Sequence, residues 1–173
     1  MREASEIAVG PARASFEEFY MKDYRAVVGL AYALSGSRST AEDLAQEAFL
    51  AAHRAWDRVS AYENPGAWVR RVVANLSVSA FRRRLAEAKA VARIGLDERH
   101  RRPELPSEDA EFWEAVRSLP RRQSQVVALH YLEDLPVAEV AAVLDMAPGT
   151  VKKHLFDGRR SLARRLGIEE AGA

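Results

Sequence analysis

The 173-residue chain contains no cysteine, which excludes disulfide bonds, thiolate zinc sites and a cysteine nucleophile. Glycine and proline are also scarce, at nine and seven residues, while alanine, leucine and arginine are abundant, a composition that favours helices over a large sheet. The longest apolar run, residues 26–34, is far shorter than the roughly 20 residues that a membrane span needs. The first residues include acids where a signal peptide would be basic and then apolar. We therefore expect a cytoplasmic protein that neither spans a membrane nor is exported.

Charge of one sign does not predominate over the whole chain, which has 26 basic and 25 acidic residues. The net charge of +1 thus gives no indication of whether the chain binds nucleic acid, but the distribution of charged residues along the chain does. Residues 70–89 and residues 148–166 each contain six basic residues and one acidic residue, whereas residues 97–114 contain seven acidic residues and three arginines. This pattern predicts two basic units joined by an acidic, flexible linker.

Helix start and stop signals divide the first half of the chain into three predicted helices. Ser15 with Glu18 forms a capping box that starts the first helix, and Gly36 is a stop signal that ends it. Ser39 with Glu42 forms a second capping box, which starts the second helix, and Asn64 with Pro65 starts the third. The second helix is predicted to run to about Val59, and the third to about Arg84 or beyond. Residues 57–63 are predicted to form the loop before the third helix.

The second half is predicted to contain four helices. The first is capped by Ser107, and the others begin at Pro120, at Pro136 and at Ala147 or Pro148. They end near Leu119, Leu132, Leu144 and Leu166. About three residues separate the last two helices, which is the spacing of a helix-turn-helix. The predicted fold class is all-α with two small domains. A three-helix unit spans residues 14–92, a flexible linker residues 93–107, and a helix-turn-helix unit residues 108–168.

The second helix has one broad apolar side and an opposite polar side that contains Asp43, Gln46 and Glu47. Leu50 lies in the middle of the polar side, where burial within the same domain does not explain it. A single apolar residue ringed by acids is typical of a partner-binding hot spot. The alternative is a solvated surface with one stray leucine, which is common in proteins.

The third helix carries a mixed face beside its core face, made of Trp68, Arg71, Asn75, Ser79 and Arg82. Indole rings stack on bases, amides read base edges, and guanidinium groups pair with phosphates. The face therefore suits DNA. An ordinary exposed face with a half-buried tryptophan remains the alternative.

The last helix places polar, basic and aromatic residues on or beside its outer surface, namely Thr150, Lys152, Lys153, Phe156, Arg159 and Arg160. In a helix-turn-helix, the N-terminal end of the second helix enters the major groove. A basic helix lying on a membrane is the competing interpretation, but the short preceding helix and the tight turn disfavour it.

Catalytic patterns are nearly absent from the sequence. The four histidines fall in separate segments, and the chain contains no paired metal-ligand spacing and no glycine-rich phosphate loop. His130, in an apolar stretch, is interpreted as a packed residue rather than a ligand. We expect a protein that is not an enzyme and that has no metal, no cofactor and no small-molecule substrate.

Two sets of motifs together resemble a known family. The segment DLAQEAF at residues 43–49, WDRV at 56–59 and PGAWVRRVVANL at 65–76 closely resemble region two of bacterial sigma factors. The segments LPRRQ at 119–123, YLEDL at 131–135 and GTVK at 149–152 resemble region four. The order and spacing are similar to those of the extracytoplasmic-function group of the sigma-70 family, and most of all to its actinobacterial SigE-like members. Three features depart from the family pattern: Asp145 replaces a usual glycine, Ala147-Pro148 replaces a more usual polar cap, and Asp157 replaces an often basic residue.

The resemblance implies a role for each polar surface. It implies that Asp43, Gln46, Glu47 and Leu50 dock on the clamp helices of the polymerase largest subunit, and that the other partners are the beta flap, promoter DNA and an anti-sigma factor. It implies that the loop at 57–63, with Tyr62, and the third-helix face handle the melted minus-ten element. The last helix would read the minus-thirty-five element. A helix-turn-helix regulator that acts without polymerase is the alternative, although it leaves Leu50 and the third-helix face unexplained.

Overall fold

The computed structural model describes residues 15–93 and 110–168, and within these ranges it contains helices and no strand. The first unit comprises α1 (Phe16–Ser35), α2 (Arg38–Arg54), α3 (Trp56–Val59) and α4 (Pro65–Arg93). The second unit comprises α5 (Ala110–Ser118), α6 (Arg121–Tyr131), α7 (Val137–Leu144) and α8 (Pro148–Leu166). The all-α prediction is confirmed. The predicted cap at Ser107 and most of the predicted linker lie outside the described residues.

Local sequence signals set most of the helix ends. Ser15 and Glu18 form the predicted capping box, in which each side chain accepts a hydrogen bond from the other residue's backbone N–H. Gly36 ends α1 in the left-handed conformation, with φ 73°, which glycine adopts at no steric cost. The side chain of Asn64 accepts a hydrogen bond of 3.0 Å from the N–H of Ala67 and so caps α4.

The predicted bounds of the second helix are wrong at both ends. Ser37, rather than Ser39, is its N-cap, because the extended backbone of Ser37 lets its hydroxyl accept a hydrogen bond from the N–H of Thr40. The helix ends at Arg54, and residues 56–59 form the separate short helix α3, so part of the predicted loop is helical. Trp56 packs with its ring centroid 5.0 Å from that of Phe19 in α1, which holds the chain in this redirected path.

The core of the first unit lies between α1, α2 and α4. Alanines on one side of α2 are fully buried, so the three helices approach closely, and the large side chain of Phe49 fills the space next to α1. On α4, Val69 and Val73 are fully buried. Burial of this apolar side leaves the opposite sides of α2 and α4 for solvent or a partner.

In the second unit, α8 packs on α6 and α7 through its predicted apolar stripe, where Val151, Leu155 and Leu162 are buried. Gly158 lies in the same stripe, and a Cβ there would be 3.0 Å from Val127 in α6, so glycine permits the close approach. Asp145 ends α7 in the left-handed conformation with φ 56°. Glycine would adopt this backbone conformation at a lower steric cost than aspartate does.

The two units pack against each other. The sequence, which predicts two units joined by a flexible linker, does not predict this interface. Helices α5 and α6 contact α1, and helices α6 and α7 contact α4. Arg117 of α5 is buried at this interface, and its Nη1 donates a hydrogen bond of 3.1 Å to the carbonyl of Ala33 in α1.

Among the helices in residues 15–93 and 110–168, none combines the length and the apolar character that crossing a membrane requires.

Candidate functional site

The α2 stripe, defined as Asp43, Gln46, Glu47 and Leu50, lies opposite the buried side of α2, and all four residues are exposed. Their spacing of three, one and three residues places them along one line of the helix surface. The side chain of Leu50 is 55% exposed, whereas the neighbouring Phe49 is 2% exposed. Leu50 therefore contributes little to the core, as its position in the polar arc predicts.

The α4 face, defined as Trp68, Arg71, Asn75, Ser79 and Arg82, is exposed at only one end. Ser79 and Arg82 are exposed, whereas the other three are partly buried. Trp68 packs against the core cluster, which matches the alternative of a half-buried tryptophan. Tyr62, in the loop before α4, is 41% exposed.

Asn75 and Arg71 bind the second unit. The Oδ1 atom of Asn75 accepts hydrogen bonds from Nε2 of Gln125 at 2.8 Å and from Nη2 of Arg121 at 2.7 Å. Arg71 donates from Nε to the carbonyl of Val143 at 2.5 Å and from Nη2 to that of Ala142 at 2.8 Å. Both carbonyls lie in the last turn of α7, where they lack partners within the helix and attract a cation. No local pattern indicates these pairs, because the partners are 46 to 72 positions apart.

Arg70, next to the α4 face, joins both units through two carboxylates. Its Nε lies 2.7 Å from Oε2 of Glu133 in the second unit, and its Nη1 lies 2.9 Å from Oδ1 of Asp23 in α1. Burial alone would lower the pKa of Arg70, but hydrogen bonds and charge interactions with Glu133 and Asp23 raise it above its ordinary value. The guanidinium therefore stays charged, and the ion pairs tie α4 to the second unit.

Arg117 lies at the same interface, but its pKa is shifted in the opposite direction from that of Arg70. Arg117 is only 5% exposed, and its Nη2 is buried with no hydrogen-bond partner among the described residues. Burial lowers the pKa of Arg117, while the charge of Glu114 acts in the other direction. A buried cation without a close carboxylate destabilises the arrangement that buries it.

The α8 face, defined as Thr150, Lys152, Lys153, Phe156, Arg159 and Arg160, is exposed at every position. Phe156 is 60% exposed, and four cations surround it along the helix. Nζ of Lys153 lies 3.2 Å from Oδ2 of Asp157, so the acid at this unusual position partly neutralises one of them. The face combines an exposed aromatic ring with several cationic groups, which are residue types found on helices that enter the major groove.

No group of three metal-ligating side chains comes together in residues 15–93 or 110–168. His130, interpreted as a packed residue, is half-buried, and its Nδ1 lies 2.8 Å from the carbonyl of Leu135. It thus holds the turn between α6 and α7.

Family models match both units of the chain. The model described as Sigma-70 region 2 matches residues 19–86, and the model described as Sigma-70, region 4 matches residues 109–162. The first match contains the α2 stripe and the α4 face, and the second contains the α8 face.

The chain is similar to named sigma factors over most of its length. It is 30% identical over 158 residues to the RNA polymerase sigma-E factor of Streptomyces coelicolor, covering 86% of this chain and 82% of that protein. It is 26% identical over 151 residues to the ECF RNA polymerase sigma factor SigW of Bacillus subtilis, covering 79% and 81%. A solved structure of the sigma factor RpoE in complex with the anti-sigma factor NepR from Bartonella quintana has the same fold, with a TM-score of 0.68 at 22% identity, covering 90% of this chain and 98% of that one. The chain therefore belongs to the sigma-70 family of RNA polymerase sigma factors, in its extracytoplasmic-function (ECF) group.

Proposed function

We propose that the three surfaces divide the work of a sigma factor: the α2 stripe binds core polymerase, the α4 face and Tyr62 handle the melted minus-ten element, and the α8 face reads the minus-thirty-five element. The observation that carries this proposal is Leu50. A large apolar side chain, 55% exposed and ringed by acids on an otherwise well-packed helix, fits a protein-binding hot spot. A helix-turn-helix regulator without polymerase would have no use for it.

In this proposal, the polymerase surface that receives the α2 stripe is the pair of clamp helices of the largest subunit. A complementary surface has an apolar pocket for Leu50 and cations for Asp43 and Glu47. The central leucine supplies binding energy through burial, and the surrounding acids supply orientation and specificity.

The promoter contacts are proposed to differ between the two elements. The α8 face binds duplex DNA, where Lys152 and Arg159 neutralise phosphates and Phe156 offers an apolar contact for a thymine methyl group. The α4 face binds a strand that is already melted, because the amide of Asn75 and the indole of Trp68 suit unstacked bases rather than a groove.

Further partners are proposed by similarity. The second unit is expected to contact the beta flap of the polymerase. An anti-sigma factor is expected to cover the exposed surfaces, since the similar sigma factor RpoE has been solved in complex with the anti-sigma factor NepR. Bacterial transcription takes place in the cytoplasm, where we expect the chain to act. We expect no cofactor, no metal and no small-molecule substrate.

Promoter selection from a random DNA library, followed by footprinting, tests the proposal. Core polymerase with the chain is expected to protect two separated elements of the selected DNA, and the chain alone is expected to give no specific footprint. Lys152→Ala should weaken protection of the upstream element, and Arg82→Ala protection of the downstream element. A specific footprint by the chain alone, equal to that with polymerase, would establish the helix-turn-helix regulator instead.

A further inference from the structure

Asp157 is the one acidic residue of α8, a helix that also contains six basic residues. DNA phosphates repel a carboxylate on the helix that approaches them, so Asp157 lowers the affinity of the α8 face for any duplex. Its ion pair with Lys153 adds little to the fold, because exposed pairs four residues apart stabilise a helix only slightly. The presence of aspartate here is therefore explained neither by the stability of α8 nor by general attraction to DNA.

Asp157 lies among the proposed DNA contacts. Thr150, Lys153 and Asp157 are spaced by three and four residues, so they follow one line of the helix surface. All three belong to the first turns of α8, the part that enters the major groove in a helix-turn-helix. The side chain of Asp157 is 36% exposed, so the edge of a base can reach its carboxylate.

The contact with Lys153 orients this carboxylate and leaves it able to bind a further group. Nζ of Lys153 donates a hydrogen bond of 3.2 Å to Oδ2 of Asp157. An ammonium group has three donors, and a carboxylate accepts at about four lone-pair positions, so this contact uses one of each. The pair thus presents an oriented acceptor to DNA, with further donors beside it.

A carboxylate discriminates between bases because it accepts hydrogen bonds and donates none. The donors in the major groove are the amino groups at N4 of cytosine and N6 of adenine. The amino group of adenine lies between two acceptors, its own N7 and O4 of the paired thymine, which both repel a carboxylate. The amino group of cytosine has one acceptor beside it, O6 of the paired guanine, and the donors of Lys153 can meet that atom. The chemistry of the pair therefore favours cytosine.

We propose that Asp157 is a specificity residue for the minus-thirty-five element: its carboxylate, oriented by Lys153, accepts a hydrogen bond from N4 of a cytosine and rejects guanine and thymine at that position. This proposal rests on the proposed function of the α8 face. Guanine and thymine present only acceptors, O6 and N7 or O4, to the carboxylate. One good base contact corresponds to discrimination of about 5- to 150-fold, and Asp157 provides it at the expense of general affinity.

Asp157→Asn removes the charge and keeps the shape of the side chain. An amide both donates and accepts, so this variant should tolerate every base at the position, and loss of the repulsion should tighten its binding to DNA in general. The matched control is Glu42→Gln, which breaks an exposed ion pair of the same length, 3.2 Å, and the same spacing within α2. Urea denaturation followed by circular dichroism should give the same unfolding curve for both variants and the parent.

The first arm of the experiment identifies the position that Asp157 reads. Core polymerase with the chain selects DNA from a duplex library in which the minus-thirty-five element is randomised, and the bound DNA is sequenced. The parent and Glu42→Gln should enrich cytosine at one position, with guanine on the opposite strand. Asp157→Asn should lose the enrichment at this position and keep it at the others.

The second arm tests the contact with the amino group itself. The selected cytosine is replaced by the pyrimidinone analogue that lacks this group, and relative affinities are measured by competition between the two duplexes. The parent should bind the analogue duplex about 5- to 150-fold more weakly. For Asp157→Asn the loss should be at least about fivefold smaller, and the ratio of the two losses measures the coupling between the carboxylate and N4.

Two results would overturn the proposal. Asp157→Asn could select the same sequence as the parent with only a higher affinity, which would show that the carboxylate acts through its charge alone. Equal losses of parent and variant on the analogue duplex would show that Asp157 does not contact the amino group. Failure of the proposed function differs from both, since the parent would then enrich no sequence in the randomised element and Lys152→Ala would leave its protection unchanged.

Discussion

Replacement of Leu50 tests partner binding separately from folding, because the side chain is exposed. Full burial of a leucine side chain contributes about 1.5 to 3 kcal/mol, and slightly more than half of this side chain, 55%, is exposed. Burying the remainder against polymerase should thus contribute about 1 to 1.5 kcal/mol, so Leu50→Ala should weaken core binding about five- to tenfold. Leu50→Asp also buries an unpaired carboxylate, and should weaken binding by more than about a hundredfold.

The same variants should fold normally. Substitutions at exposed positions without special contacts change the free energy of unfolding by less than about 0.5 kcal/mol. The adjacent Phe49, which is 2% exposed and packs among the aromatic rings of α1, should behave in the opposite way. Phe49→Ala should lower the free energy of unfolding by about 3 to 5 kcal/mol.

Core binding is measured by fluorescence anisotropy of the labelled chain titrated with core polymerase, and folding by urea denaturation followed by circular dichroism. Leu85→Ala, at an exposed leucine of α4, is the matched control and should bind polymerase like the parent. Normal folding together with normal polymerase binding of Leu50→Asp would refute the assignment of the α2 stripe. Unfolding of that variant would show that Leu50 supports the core.

Three further changes test other parts of the structure. Gly36→Ala should lower the free energy of unfolding in urea by about 1 to 2 kcal/mol, because φ is 73° and the new Cβ would lie 2.9 Å from Nε of Arg117. Lys153→Ala should reduce the slope of log affinity against log salt for promoter duplex by about one, since a phosphate contact is lost. Asn75→Ala should weaken open-complex formation with polymerase by about 1 to 3 kcal/mol in a sequence-dependent manner, measured by permanganate footprinting.

The control for Gly36→Ala is a glycine inside α1. Gly29→Ala meets nothing within 4 Å at ordinary helical φ, and should instead raise the free energy of unfolding by about 0.4 to 1 kcal/mol. Asp157→Asn frees Lys153 from its ion pair and should tighten duplex binding, and an unchanged salt slope in Lys153→Ala would remove that residue from the DNA contacts. Equal losses by Asn75→Ala on duplex and pre-melted templates would make Asn75 a positioning residue.

Local signals in the sequence were sufficient for most helices of the described chain. The Ser15 capping box, the stop at Gly36 and the prolines at the N-terminal ends of α6, α7 and α8 act over a few residues, so the sequence shows them directly. The start of the second helix was harder to predict from the sequence. The sequence has serines at both 37 and 39, and the residue types alone do not tell which of the two has the extended backbone of an N-cap, which in the structure is Ser37.

The interface between the units was not predictable in the same way. Asn75 and Arg71 have the residue types of a DNA-binding face, and periodicity places them on that face, but their partners are in helices far along the chain. Arg117 is similar, since nothing in its neighbourhood distinguishes a buried arginine from a solvated one. Such contacts depend on how preformed helices pack, and a charged residue on a helix is usually solvated.

Single-round transcription with purified core polymerase tests the central claim most directly. The template is the promoter obtained by selection, and the measured quantity is the 5′ end of the RNA. The chain should direct core polymerase to one defined start site, at which core polymerase alone gives no transcript. A folded chain that binds the polymerase yet yields no transcript dependent on it, with the selected promoter or with the same promoter pre-melted, would contradict the account.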